Sequence, residues 1–206
     1  MVELIVDKIS QKIDGKSVLN QISFEVHAND FVVITGRSGS GKTTLLNVIS
    51  GLTRPDSGQV YLDGQLIGKN MQKIWRNQIG FIFQNNLLLE KLTVKQNILM
   101  GAKFNKSLSD QEIRDLLAKV GMPDVDISQR VSTLSGGEQQ RVALLRTLVK
   151  RNELIFADEP TGNLDDENAR KLVEILKNWS LAEQHAVVMV THNLAFITYA
   201  TKHVAI

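Results

Sequence analysis

The stretch that most constrains this chain is Gly36-Arg37-Ser38-Gly39-Ser40-Gly41-Lys42-Thr43, which has the form G-x-x-x-x-G-K-[ST] of a phosphate-binding loop. The motif has meaning only between a strand and a helix. Phe31-Val32-Val33-Ile34-Thr35 before it reads as a buried strand, and Thr43-Thr44-Leu45-Leu46-Asn47-Val48-Ile49 after it reads as a helix. Glycines let backbone N–H groups close around a triphosphate with no Cβ in the way. The helix start adds unpaired donors and a partial positive charge. Lys42 supplies a charge for the β- and γ-phosphates, the Thr43 hydroxyl a ligand for Mg²⁺, and Thr44 lies in the same cradle. The expectation is a nucleotide site.

With 206 residues the chain can bury one full core but not two large domains. Its 24 basic residues nearly balance its 22 acidic ones, which gives no electrostatic case for nucleic acid. The absence of cysteine excludes disulfides, thiolate chemistry and Cys-based metal sites. Met1-Val2-Glu3-Leu4-Ile5-Val6-Asp7 lacks the basic start and long apolar run of a signal peptide, and no apolar run approaches a membrane span. A cytoplasmic protein is expected, with any membrane link made through a partner.

Two strand-like segments, around Leu4–Ile9 and Ile22–Val26, flank a turn at Asp14-Gly15. Gln59–Leu62 runs into a hairpin signal at Asp63-Gly64, residues 69–78 read as helix, and Ile79–Phe83 as a strand closing on Gln84. From about 85 to 150 the pattern is helical. The spacing over Thr93–Phe104 predicts a helix with one buried face of Val94, Ile98 and the side at Met100 to residue 102, Ser109-x-x-Glu112 is a capping box, and another helix starts at Gly136. Leu154–Ala157 reads as a strand buried on both faces. Asp166–Leu181 reads as a helix and Ala186–Val190 as a strand, with a short helix from Asn193. Strands alternating with helices predict a mostly parallel sheet interrupted by a helical insertion.

The strand Leu154–Ala157 ends in Asp158-Glu159, two carboxylates in the place where a P-loop nucleotidase holds Mg²⁺ (Asp158) and handles the proton of the attacking water (Glu159). Leu134-Ser135-Gly136-Gly137-Glu138 is either an ordinary helix N-cap or a second anion cradle at a helix start. With two cradles and one nucleotide per chain, the second is best used on a nucleotide held by another copy.

These motifs, in this order, resemble the nucleotide-binding subunit of an ATP-binding cassette (ABC) transporter over essentially the whole chain. The resemblance implies an α/β fold: a P-loop NTPase (RecA-like) core with an antiparallel β-subdomain, about 1–84 and 151–206, and an α-helical subdomain, about 85–150, within a single domain. It implies catalytic roles for Glu159, His192 (a γ-phosphate switch) and Gln84, with Thr43, Gln84 and Asp158 around Mg²⁺. Leu134–Glu138 becomes the signature that serves the opposite copy's ATP, and Asn163-Leu164-Asp165 the D-loop. The run Ala157–Asp165 is similar to the lipoprotein-releasing and macrolide-efflux branch. Implied partners are a second copy and a transmembrane permease, with the subunit peripheral on the inner face of the membrane. The implied activity is ATP hydrolysis driving export of a peptide, lipoprotein or antibiotic; the alternative is a non-transporting ABC ATPase that regulates a cell-envelope complex. Three departures stand out. Lys12-Ile13 occupies the place of the usual adenine-stacking aromatic, so Ile13 offers aliphatic packing. The helix after the signature is bulkier, and the sequence ends at Ile206 without a C-terminal regulatory extension.

Overall fold

The computed structural model describes residues 2–68, 71–102, 108–150, 152–182 and 184–206. Strands β1 (Glu3–Ile13) and β2 (Lys16–His27) form an antiparallel hairpin. Its turn residues Asp14 and Gly15 both take positive φ, 49° and 76°, the geometry that matches the twist of a two-residue hairpin loop. Next come β3 (Phe31–Thr35), all five residues of which are buried, and α1 (Lys42–Ile49). A second hairpin, β4 (Ser57–Leu62) and β5 (Gln65–Leu66), turns at Asp63-Gly64. It is followed by α2 (Met71–Asn77) and β6 (Ile79–Ile82). The helical stretch contains α3 (Val94–Ala102), α4 (Asp110–Lys119) and α5 (Gly136–Leu148). The chain then returns to sheet through β7 (Leu154–Asp158), α6 (Asp166–Leu181), β8 (Ala186–Thr191), a 3₁₀ segment at Leu194–Tyr199 and β9 (Lys202–Ala205).

Two sheets result. One is antiparallel, in the order β2-β1-β4-β5; the other is parallel, in the order β6-β7-β8-β3-β9. The parallel strands read as continuous apolar runs because both faces are covered. Side chains alternate across β3. Val32 and Ile34 join Leu45, Leu46 and Ile49 of α1 and Leu4 and Val6 of β1 in the core between the sheets. Phe31 and Val33 join Ile155, Leu144, Leu172 and Ile98 in the core under the helices. The core of α/β type with an antiparallel side sheet and inserted helices is the fold that the resemblance implied. In a parallel sheet loops cluster at the carboxyl ends of the strands, so β3, β7 and β8 deliver Thr35, Asp158 and Thr191 to one edge.

The helix from Thr93 differs from its sequence reading. Met100 is 44% exposed, and the buried face is Val94, Asn97, Ile98 and Ala102. Met100 lies two residues from Ile98, roughly 200° around the helix, so it cannot share that face. Asn97 takes the buried place because it is fully engaged: Oδ1 accepts from Leu89 N at 2.9 Å, and Nδ2 donates to Leu89 O at 3.2 Å and Thr93 O at 3.0 Å. Phe104, the expected end of this helix, and residues 69–70, the expected start of α2, lie outside the described residues.

Candidate nucleotide site

The loop from Gly36 to Thr43 is closed by its own lysine. Lys42 is 8% exposed, and its Nζ donates to the carbonyls of Gly36 at 2.9 Å and Arg37 at 3.0 Å. The ammonium is thus held beneath the loop, ready for an anion above it. Ser40 N donates to Arg37 O at 3.1 Å, while Ser40 Oγ is buried with no partner among the described residues. Helix α1 begins at Gly41, which has φ 97° and no side-chain cap, and its first turn carries no acidic residue. Its end is therefore an open row of N–H donors at the positive pole of the helix. Gly41 is needed for its conformation and for space: a Cβ there would lie 2.5 Å from Val18 Cγ1.

A cavity of about 520 Å³ opens over this loop, lined by Ser38, Gly39, Gly41, Lys42, Thr43 and Thr44 together with Ile13 and Glu159. Ile13, 46% exposed, sits at the tip of the β1–β2 hairpin, where it can cover a base with aliphatic surface. Strand β7 brings Asp158 to the loop, and Thr43 Oγ1 donates to Asp158 Oδ1 at 3.2 Å. Burial raises the Asp158 carboxyl above its ordinary pKa; the Thr43 hydrogen bond opposes this, Glu159 adds to it, and Lys42 opposes it. This carboxylate lacks sufficient positive company. Such a hydroxyl–carboxylate pair fits Mg²⁺, which takes oxygen ligands, keeps several waters and completes its shell with substrate phosphates. Among the described residues no cluster of three or more His, Cys, Asp or Glu could hold a metal by protein ligands alone.

Glu159 follows with φ 45°, a left-handed conformation at the end of a strand. Its N–H donates to Val190 O at 3.0 Å, so β8 fixes the turn. Its side chain is 16% exposed, and Oε2 lies 3.0 Å from His192 Nδ1, which stands just past β8. The two groups are a carboxylate aimed over the P-loop and an exposed imidazole in contact with it.

Gln84 does not join this cluster. It is exposed after β6, its side chain faces Gly162, and its carbonyl accepts from Asn163 Nδ2 at 3.3 Å. The segment Leu134–Glu138 is likewise absent from the cavity lining. Ser135 caps α5 and is already engaged: Glu138 Oε2 accepts from Ser135 N at 2.8 Å and Ser135 Oγ at 2.7 Å. Of the two readings of Leu134–Glu138, the helix N-cap is the one seen in this chain, as a closed capping box between Ser135 and Glu138. The S-x-x-E spacing carried that signal. The Ser135 hydroxyl and main-chain bonds hold the Glu138 carboxyl below its ordinary pKa.

One connection was not legible from sequence. Arg141 Nη1 donates to Asn168 Oδ1 at 2.7 Å, and Asn168 Nδ2 donates to Asp165 Oδ2 at 2.6 Å. Asp165 also caps α6 by accepting from Asn168 N, which lowers its pKa. A Cβ on Gly137 would lie 3.3 Å from Leu164 Cδ2, so the starts of α5 and α6 pack directly against each other.

The chain is similar to known proteins. The family model described as ABC transporter matches residues 19–162. The chain is 38% identical over 197 residues to the lipoprotein-releasing system ATP-binding protein LolD 1 of Chlorobium chlorochromatii, covering 92% of this chain and 80% of that one. It is 38% identical over 185 residues to the macrolide export ATP-binding/permease protein MacB of Syntrophobacter fumaroxidans, covering 85% of this chain and 26% of that longer protein. It superposes with a TM-score of 0.83 and 29% identity on the dimeric post-hydrolysis state of the ATP-binding cassette MJ0796 bound to ADP and Pi, covering 98% of this chain and 94% of that one. Among the described residues no helix is long and apolar enough to cross a membrane.

Proposed function

The chain belongs to the ABC transporter family, as an ATP-binding subunit of the lipoprotein-releasing and macrolide-efflux branch, and from that premise we propose that it hydrolyses ATP in a head-to-tail dimer to drive export through a permease. The observation that carries this reading is the meeting of two strand ends at one loop. β7 sets Asp158 on Thr43 at 3.2 Å and Glu159 over the same cavity, with His192 at 3.0 Å from it.

In this reading the α1 N-terminus, Lys42 and the amides of 36–43 bind the phosphates, and Ile13 covers the base. Thr43 and Asp158, with Gln84, would hold Mg²⁺. The ion, when bound, neutralises charge on the β- and γ-phosphates. Glu159 accepts a proton from a water as that water's oxygen bonds to the γ-phosphorus, the bond from phosphorus to the bridging oxygen breaks, and ADP leaves with that electron pair. His192 orients Glu159 and meets the γ-phosphate. Ser135, Gly136 and Gly137 of a second copy close the site from above once the Ser135–Glu138 box opens. The helical segment 85–150 swings with nucleotide state, and its movement does work on a permease beside Gln84. The subunit then sits on the cytoplasmic face of the membrane, and the cargo is a peptide, lipoprotein or antibiotic.

Glu159→Gln tests the reading. It retains ATP binding and loses about 10²–10⁴-fold in turnover, the usual cost of removing a general base. With Mg·ATP it elutes as a dimer in size-exclusion chromatography. Parental turnover in this variant assigns the base elsewhere, and a monomer under those conditions removes the sandwich.

A further inference from the structure

The cavity over the P-loop has two walls of different chemistry. One is the phosphate loop, from Ser38 to Thr44; the other is the tip of the β1–β2 hairpin, which contributes Ile13, Asp14, Lys16 and Val18. On the proposed function, a triphosphate held by the loop leaves the hairpin tip to meet the base. None of the described lining residues is aromatic, so no ring stacks on the base there. Ile13 and Val18 offer aliphatic contact, which does not tell one purine from another. Discrimination at this wall falls to its polar groups, and these are Asp14 and Lys16.

The hairpin fixes where both side chains start. Ile13 and Lys16 are paired across the two strands, so their side chains leave the same face of the sheet. Asp14 is the first of the two turn residues, with φ 49°, followed by Gly15 at 76°. Asp14 and Lys16 are exposed. Among the described residues neither side chain has a hydrogen bond or ion pair, with the other or with any neighbour. An ionised carboxylate only accepts hydrogen bonds, and an ammonium only donates them. The tip therefore brings one unused acceptor group and one unused donor group to the same wall of the cavity.

That pair is a better match for guanine than for adenine. Guanine carries O6, an acceptor, next to N1–H and N2–H₂, two parallel donors that a carboxylate takes bidentately. Adenine offers one donor group, N6–H₂, beside the acceptor N1. Each turned to its best advantage, guanine makes three bonds with a carboxylate and an ammonium, and adenine makes two. We propose that Asp14 and Lys16 read guanine, Asp14 accepting from N1–H and N2–H₂ and Lys16 donating to O6, so that GTP is a better ligand and substrate of this site than ATP. The inference rests on the function proposed above for placing a nucleoside triphosphate in the cavity. It assigns the base that the rest of that site, built for phosphates and metal, leaves unread.

The test displaces a fluorescent ATP analogue from the full chain with unlabelled GTP, ATP and inosine triphosphate in the presence of Mg²⁺, and measures kcat/KM for each. Phosphates, ribose and aliphatic contact are common to the three, so they cancel in the ratios. Inosine triphosphate keeps O6 and N1–H and lacks only the N2 amino group. GTP should bind about fivefold more tightly than ATP, the low end for a bidentate base contact because the hairpin tip is exposed. Inosine triphosphate should fall close to ATP. Asp14→Asn keeps the turn, since Asn followed by glycine favours the same backbone, and should bring GTP close to inosine triphosphate. Lys16→Met should weaken both of these, which carry O6, and leave the ratio between them as in the parent. ATP binding as tightly as GTP overturns the proposal. So does a GTP preference over inosine triphosphate that survives Asp14→Asn, or a parental GTP affinity in Lys16→Met. A chain that prefers ATP but forms the Glu159→Gln dimer keeps its proposed function and loses only the guanine contact. A chain that binds none of the three triphosphates loses both.

Discussion

Two helices of this chain begin at glycine-rich turns and finish those turns in opposite ways. Helix α1 starts at Gly41 with no side-chain cap and no acid in its first turn. Helix α5 starts at Ser135 with a closed capping box and Glu138 in its first turn. The four leading N–H groups of any helix need partners. In α1 they are left for a ligand of the same chain, and the loop is shaped permanently by Gly41 and by Lys42 beneath it. In α5 a carboxylate of the chain itself supplies the partner. A phosphate approaching Ser135 must displace Glu138, an anion replacing an anion. One start is open; the other is closed by the chain's own carboxylate and would serve as a site, as proposed above, only once that carboxylate is displaced.

The largest effect that can break this comparison is a division of labour between two variants. Lys42→Ala is expected to lose nucleotide binding by the isolated chain. Ser135→Arg should keep that binding, measured by titration with a fluorescent ATP analogue, and lose hydrolysis. Mixing the two pairs one intact loop with one intact signature and should restore part of the turnover. A Ser135→Arg chain that no longer binds nucleotide would place both turns in one same-chain site.

Glycine replacements give a smaller contrast. Gly41→Ala forces a side chain into φ 97° against Val18 and should cost about 1–3 kcal/mol in urea unfolding. Gly136→Ala meets nothing within 4 Å and should be neutral or stabilise by about 0.4–1 kcal/mol. Equal costs at the two positions would mean that the α5 turn is as tightly shaped as the P-loop.

The smallest effect concerns the Ser135–Glu138 latch itself. The Glu138 carboxyl titrates below its ordinary value of 4.5 in the folded chain, so its contribution to stability is fully present above that value. It fades as pH falls through the lower folded-state pKa. Glu138→Gln, which keeps the shape without the charge, should be less stable than the parent at pH 7. That gap should close in acid, as read by thermal unfolding across a pH series. A gap independent of pH would show that the latch holds by shape alone.

The open start was legible in the sequence because its signals are local. The apolar run into β3, the loop spacing and the helix after it lie within about twenty consecutive residues, and β7 ending in Asp158-Glu159 is as compact. The structure brings Thr43, Asp158, Glu159 and His192 to one cavity edge and leaves Gln84 and Leu134–Glu138 away from it. The latch was legible in principle, since Ser135-x-x-Glu138 has the same spacing as the Ser109-x-x-Glu112 box that was read. The glycines between left two readings open, a helix N-cap and an anion cradle, and the cap is the one seen. Met100 was misplaced because counting apolar residues overlooks a polar one that earns burial, as Asn97 does by binding the Leu89 backbone. The Arg141–Asn168 bond joins residues 27 apart, and no local pattern announces it. Strand β9 carries a weak local signal because Lys202–Ala205 is short and half-exposed, and its register comes from β3.

β3 itself has a consequence for how the molecule breathes. Its five residues are buried, and it pairs with β8 on one side and β9 on the other. Amides in such a strand exchange with solvent only when the whole sheet opens, whereas those of exposed loops exchange through small local excursions. The P-loop therefore leaves from a strand whose amides should exchange slowly. The segment from Gln84 to Leu89, with Leu87 60% exposed and Leu89 48% exposed, lies outside that sheet at the surface. On the proposed function, nucleotide would be held at the end of this buried strand, and the movement would fall on the exposed segment beyond β6.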